Sequence, residues 1–266
     1  MKPFQIQKAL AALTVALSLA CPAAAARVEV NGVVLEPHEG WVEDGTSYVT
    51  LQALSREGGF ELSWDGDAAW LEDEQTTLSA RPGARYIEVN GRALYVPEGV
   101  LMVDGRSALP LRLLERALGG AVAWDEDSRV ASLELRGAQA AGADYPREDL
   151  YWPARIISAE SRGESLEGQI AVGNVVLNRV DSDNYPDTIK EVIFDRNHGV
   201  QFEPVENGTV YDDPTPTSIL AAKLALEGAD VVGDSLYFFA PALSAGSWIV
   251  NNCTYYTTIG CHRFYL

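Results

Sequence analysis

The chain has 266 residues, 47% of them hydrophobic, enough for one large or two modest globular domains. Its formal charge of -18 argues against a nucleic-acid partner, because affinity for a phosphate backbone comes from clustered Lys and Arg. Three histidines and three cysteines without CxxC or HExxH spacing offer no zinc-hydrolase site, and neither a metal nor a cofactor is expected.

The first 26 residues read as a secretory signal. Lys2 and Lys8 form a positive n-region, Ala9 to Ala20 an apolar stretch, and Ala23 to Ala26 a small-residue cleavage site. The apolar stretch is shorter than the ~20 residues a spanning helix needs, and Pro22 follows it, so no permanent membrane span is expected. "LSLAC" puts Ser18 where a lipobox has an aliphatic residue, which argues against a lipid anchor on Cys21. Export places the protein outside the cytoplasm. There Cys253 and Cys261, eight positions apart, can form a local disulfide or stay as two thiols.

An internal repeat follows. "DGTSYVTLQALSREGGFELSWDGD" (44 to 67) matches "DGRSALPLRLLERALGGAVAWDED" (104 to 127) at an offset of sixty, and "VNG" recurs at 30 to 32 and 89 to 91. Each unit predicts a strand, an Asp-Gly turn, a short amphipathic helix stopped by Gly-Gly, and a strand carrying Trp-Asp, with one core shared by the two units. Trp64 and Trp124, at matching positions, are expected in that core rather than on a sugar-stacking surface. This pattern resembles the copper amine oxidase N-terminal-like domain over residues 27 to 136, although the segment has only His38 and nothing like a copper site. The resemblance implies an accessory module with a possible cell-envelope ligand. Residues 137 to 146, small and polar, read as a linker to a second domain at 147 to 266.

In that second domain a helix is expected from Pro153, placed in a first turn, through Ile156 and Ile157 to Glu160, with Gly163 as its stop. A second helix carries Leu166, Ile170, Gly173, Leu177 and Val180 on one face. Thr188 to Glu191 is a capping box opening a third, and "PTPTSILAAKLALEG" is a further helix ending at Gly228. The tail, from "SLYFFAP" through "SWIV" to "TTIGCHRFYL", reads as two or three strands. The expected class is α+β: a two-repeat α+β module, then a helical lysozyme- or transglycosylase-like domain with a small antiparallel sheet.

"ARIISAESRGESLEGQIAVGNVVLNRV", "QFEPV", "SLYFFAP" and "TIGCHRFY", in that order, resemble the SleB/CwlJ family of bacterial cell-wall hydrolases over residues 150 to 266. The resemblance implies cleavage of peptidoglycan glycan strands between muramic acid and glucosamine, with a single glutamate as acid, here Glu160. It favours lytic transglycosylation and raises a role in spore-cortex lysis at germination.

The chemistry of the residues agrees. Cleaving a glycosidic bond needs a carboxylic acid still protonated near neutral pH, and burial with an adverse helix dipole raises a glutamate's pKa. A second carboxylate would act as nucleophile or activate water; Glu164 is the first candidate and Glu203 the second. Without one, the same glutamate serves as acid and then base while the muramyl 6-hydroxyl attacks. Gln201, Phe202, Tyr237, Phe238 and Trp248 are candidate sugar contacts, and Arg162 a candidate for a substrate carboxylate. Gln169 and Asn174 are candidates to orient Glu160, and His262 reads as a hydrogen-bonded structural residue. Two rival functions remain: a non-catalytic peptidoglycan-binding protein, and an amidase using Cys261 and His262, which adjacent strand positions place badly.

Overall fold

The computed structural model describes residues 25–197 and 200–266. The leader's Lys2, Lys8 and Cys21, and also His198, lie outside the described residues.

The repeat folds twice in the same way. The first unit runs β1 (Arg27–Val30), β2 (Val33–Val34), β3 (Gly40–Glu43), β4 (Thr46–Thr50), α1 (Leu51–Gly58), β5 (Glu61–Asp65) and β6 (Ala68–Glu72). After β7 (Thr77–Ala80), the second unit runs β8 (Tyr86–Val89), β9 (Arg92–Tyr95), β10 (Leu101–Val103), β11 (Arg106–Pro110), α2 (Leu111–Leu118), β12 (Ala121–Asp125) and β13 (Val130–Glu134). Asp44-Gly45 and Asp104-Gly105 have positive φ at both residues (48° and 78°, 50° and 76°), which matches the two-residue hairpin turn their sequence predicts. The strands β4 and β11 pair antiparallel with Val49 opposite Leu109, so residues sixty apart meet on a pseudo-twofold axis.

The units interlock. The first unit's opening strand β1 lies parallel to β13, the second unit's last strand, while β8 and β9 reach β6 through β7 in one five-stranded meander. Neither unit closes its own core, and Val28, Val30, Leu54, Leu71, Leu94, Leu114 and Leu133 bury together as one cluster.

Trp64 and Trp124 correct the expectation, being 50% and 46% exposed. Both sit on edge strands, and only the earlier inward positions, Leu62 and Val122, pack against the core.

The second domain is built around one enclosed helix. Its elements are α3 (Arg147–Ser161), α4 (Leu166–Val180), α5 (Ile189–Phe194), α6 (Glu203–Asn207), α7 (Pro216–Leu226), β14 (Tyr237–Phe239), α8 (Ser247–Asn252), β15 (Tyr255–Ile259) and β16 (His262–Tyr265). The apolar stripe predicted one buried face for α4, yet Gly168 to Val176 is buried on every side. Gly173 makes this possible: a Cβ there would sit 3.0 Å from Ile157 on α3 and 3.1 Å from Ala225 on α7. The strands close the domain as a three-stranded antiparallel sheet, ordered β14-β16-β15.

Two local expectations change. Helix α3 begins at Arg147, six residues before Pro153, which therefore lies inside it. Packing outweighs the hydrogen bond that proline forgoes: Trp152 meets Phe194 and Tyr211 edge-on, and Lys190 pairs with Glu148. "SWIV" forms α8, not a strand, following Gly246 in the left-handed conformation. The Thr188 cap is as expected, its Oγ1 accepting from the Glu191 N–H.

The segment expected as a linker has no regular structure but is tied down. Ala143 N–H donates to the Asn90 carbonyl, Asn90 Nδ2 to the Ala140 carbonyl, and Tyr145 Oη lies 2.8 Å from Glu227 Oε1. Glu227, just after α7, also takes both ends of the Arg92 fork at 2.9 and 2.6 Å, with side chains only 14% and 12% exposed. Lys223 donates to the Gly91 carbonyl, Tyr95 to Glu167, and Ala93 buries with Ile157, Ile170 and Ala222. The seam between the domains is thus both apolar and ion-paired. No described helix is long and apolar enough to cross a membrane.

Leu54→Ala and Leu114→Ala should each cost about 2–5 kcal/mol in denaturant unfolding, whereas Trp64→Ala and Trp124→Ala should stay under about 1 kcal/mol. Arg92 holds the Glu227 carboxyl below its ordinary value of 4.5. Its contribution is therefore complete above that pH and lost as pH falls below it. Calorimetry should show one unfolding transition at neutral pH, and two in Glu227→Ala or on acidification.

Candidate active site

Glu160 is the penultimate residue of α3, where the chain turns into α4. Helical spacing drives Ile156 and Ile157 into the core at 0% exposure and leaves Glu160 half-buried above them. Burial is the main cause that pushes its carboxyl up to about 7; the Glu203 charge adds to the rise and Arg179 opposes it. The adverse field expected from the helix end is thus supplied by a second carboxylate. Such a group is protonated in an appreciable fraction of molecules at neutral pH.

Glu164 is occupied elsewhere. Its Oε2 accepts the Cys261 N–H at 3.1 Å, and a methyl group at Gly260 would collide with that oxygen. The carboxylate therefore staples the turn between α3 and α4 to the β15–β16 hairpin, and Gly260 keeps the space open. Among the candidate second carboxylates, the one whose charge reaches Glu160 is Glu203, the exposed first residue of α6.

A cleft of about 820 Å³ is lined by Arg179, whose charge reaches Glu160, together with Tyr185, Gln201, Tyr237, Phe238 and Trp248 among others. Its wall is hung from α4 by a ladder of side chains. Asn174 Nδ2 donates to the Ala229 carbonyl at 2.6 Å and its Oδ1 accepts from Val231 N–H. Asn178 Nδ2 donates to the Gly233 and Ser235 carbonyls, and Arg179 Nε to the Leu236 carbonyl at 2.8 Å. These bonds deliver the chain to β14 and set Tyr237 and Phe238 at the cleft. Trp248, 61% exposed on α8, meets Tyr237 edge-on with ring centroids 5.6 Å apart.

Several expected roles change. Phe202 is 2% exposed and belongs to the core beneath Arg179, so its ring is closed to a sugar. Arg162 is exposed at the end of α3 and does not line the cleft. Gln169 and Asn174 are buried ties and do not orient Glu160: Gln169 links the Glu164 carbonyl to Ser218 on α7.

Cys253 and Cys261 are free thiols. The five residues of β15 lie between them, and at ~3.3 Å per residue this separates the two far beyond the ~6 Å that a disulfide spans. The Glu164 carboxylate beside Cys261 raises its thiol pKa, the reverse of what a nucleophile needs. His262 is buried edge-on to Phe238, and its Nδ1 has no hydrogen-bond partner, so packing rather than hydrogen bonding gives it its structural role.

Arg179 and Tyr185 are among the cleft residues that sequence reasoning missed. The available signal was the polar pair Asn174 and Asn178, one turn apart in an otherwise apolar helix, with Arg179 adjoining.

Comparison with known proteins agrees with this architecture. Residues 163–265 match the family model for Cell Wall Hydrolase, starting three residues after Glu160, and residues 29–133 match the Copper amine oxidase N-terminal domain. The second domain belongs to the cell wall hydrolase family. The spore cortex-lytic enzyme of Bacillus cereus is 38% identical to it over 105 residues, 40% of this chain and 39% of that protein. That of Bacillus subtilis is 33% identical over 105 residues, 40% of this chain and 33% of that protein. The chain spans about two fifths or less of the length of these curated relatives. Among solved structures, the catalytic domain of the germination-specific lytic transglycosylase SleB from Bacillus anthracis is 35% identical. It covers 47% of this chain, is itself covered in full, and aligns with a TM-score of 0.43. Among the described residues, no group of three or more His, Cys, Asp or Glu is placed to hold a metal.

The raised pKa of Glu160 in the cell wall hydrolase domain has a stability cost with a definite sign. The folded state favours the protonated carboxyl, so stability is undiminished below 4.5 and falls as pH rises toward about 7. Glu160→Gln removes that ionisation. It should stabilise the protein above pH 7 by up to about 3 kcal/mol and leave stability unchanged at pH 4, as read by denaturant titration at both pH values.

Proposed function

We propose that the protein cleaves peptidoglycan glycan strands between muramic acid and glucosamine, with Glu160 as the general acid. The observation that carries this reading is a half-buried carboxyl, its pKa raised to about 7 by burial, within reach of the charge of Arg179 in the wall of a cleft lined by aromatic rings. Rings stack on sugar faces, and Gln201 stands in the same cleft wall.

Glu160 donates its proton to the glycosidic oxygen as the bond from C1 breaks. Glu164 is held by the hairpin and is not free to act as a nucleophile. The muramyl 6-hydroxyl then attacks C1 and returns its proton to Glu160, which closes a 1,6-anhydro ring and restores the acid without water. This is lytic transglycosylation. Glu203 favours a second reading, in which its carboxylate activates water and the product carries a reducing end. The named relatives, spore cortex-lytic enzymes and a germination-specific lytic transglycosylase, support a peptidoglycan substrate acted on outside the cytoplasm, with spore cortex lysis at germination as the setting. The N-terminal module's role is attachment to an envelope ligand.

Purified protein incubated with isolated peptidoglycan should release fragments ending in anhydromuramic acid by mass spectrometry, and Glu160→Gln should lower the rate at least 100-fold. Reducing ends would assign hydrolysis through Glu203, and free peptides an amidase. Binding without products from the wild type would make the protein a peptidoglycan-binding module. The rate should fall above about pH 7 as Glu160 ionises, and Glu203→Gln should move that limb to lower pH by removing a like charge.

A further inference from the structure

Arg179 is a buried charge that its neighbours leave partly unsatisfied. It is 5% exposed, yet its Nη1 has no hydrogen-bond partner, and among the described residues it forms no ion pair. Its Nε is spent on the Leu236 carbonyl, and its guanidinium lies 5.0, 5.1 and 5.9 Å from the ring centroids of Tyr185, Phe202 and Tyr237. The charges of Glu160 and Asp195 reach it across space, but neither carboxylate bonds to it. In a chain with 38 acidic residues against 20 basic ones, a buried cation without an acidic partner calls for another explanation. A buried donor left unpaired costs free energy, and a buried charge costs more. The side on which Arg179 is open is the cleft, whose wall it forms with Tyr185, Tyr237 and Gln201.

We infer that Arg179 is an anion subsite of the cleft and receives a carboxylate carried by the muramyl residue of the strand. This rests on the proposed glycan-cleaving function and adds to it the recognition of charge. The three rings hold the guanidinium in place and keep water from it, so a carboxylate gains a preorganised, weakly screened partner. Two muramyl groups carry such a carboxylate: the lactyl group where no peptide is attached, and the peptide stem. A muramic lactam carries neither, because its lactyl carboxyl is closed into a neutral ring. In a strand that carries both, the subsite therefore engages the muramic acid residues and leaves the lactam residues to other parts of the protein.

The test measures binding in the full-length Glu160→Gln protein, where no turnover interferes, with Arg179→Gln and Arg179→Lys added. The ligands are strands with bare lactyl groups, strands with intact stems, strands rich in muramic lactam, and N-acetylglucosamine oligomers. Arg179→Gln should weaken carboxylate-bearing strands about 10- to 100-fold, and leave lactam strands and oligomers within about twofold. Arg179→Lys should recover part of the loss. Loss confined to bare or to stem-bearing strands identifies which carboxylate is bound. Ratios between ligands within one variant do not depend on the fraction folded, so a destabilised variant still reports. Equal weakening of all four ligands, or none, would overturn the subsite. The glycan-cleaving reading fails separately, if protein with Glu160 intact releases no glycan fragments.

Discussion

The second domain depends on the burial of α4. A helix so enclosed must find partners for most of its polar groups, and the sequence places Gln169, Asn174, Asn178 and Arg179 on it. Each finds backbone partners. Gln169 ties the α3–α4 turn to α7, and the other three hold successive residues from 229 to 236. The segment is thereby fixed in register, and the strand it leads into presents Tyr237 and Phe238 at the cleft. The same helix contributes Gly173 to its packing and Arg179 to the cleft wall, so core, wall and charge share one element.

Glu160 illustrates how burial becomes chemistry. Its helix neighbours bury because they are apolar, and the carboxyl is carried partly under with them. Burial and the Glu203 charge then hold on to its proton, while Arg179 keeps the pKa from rising further. The two glutamates of "SAESRGES" divide into different tasks. Glu160 is left without a strong hydrogen-bond donor to stabilise its anion, whereas Glu164 accepts a backbone N–H and closes a hairpin.

The N-terminal module contributes in another way. Its two units exchange opening hairpins, so the repeat is a single folding body. Its β9 then docks on α7 through Ala93, Arg92 and Lys223. The segment between the domains is anchored by Asn90 and Tyr145. The module thus braces α7, one of the two helices that pack at Gly173.

The sequence by itself determined what depends on local spacing: the repeat and its Asp-Gly turns, the Thr188 cap, and the α3–α4 order. These follow from backbone preference and helical period, which neighbours in the chain decide. Tertiary structure decided what depends on residues distant in sequence. Glu164 and Glu203 are both plain glutamates until the fold sets one against Gly260 and the other within reach of Glu160. Trp64 and Trp124 look like core residues until edge strands expose them. Cys253 and Cys261 look like a pair until a strand separates them. Arg179 carried only the faint mark of adjoining Asn178, since a buried charge is defined by what surrounds it, and its surroundings come from Tyr185, Phe202 and Tyr237 together.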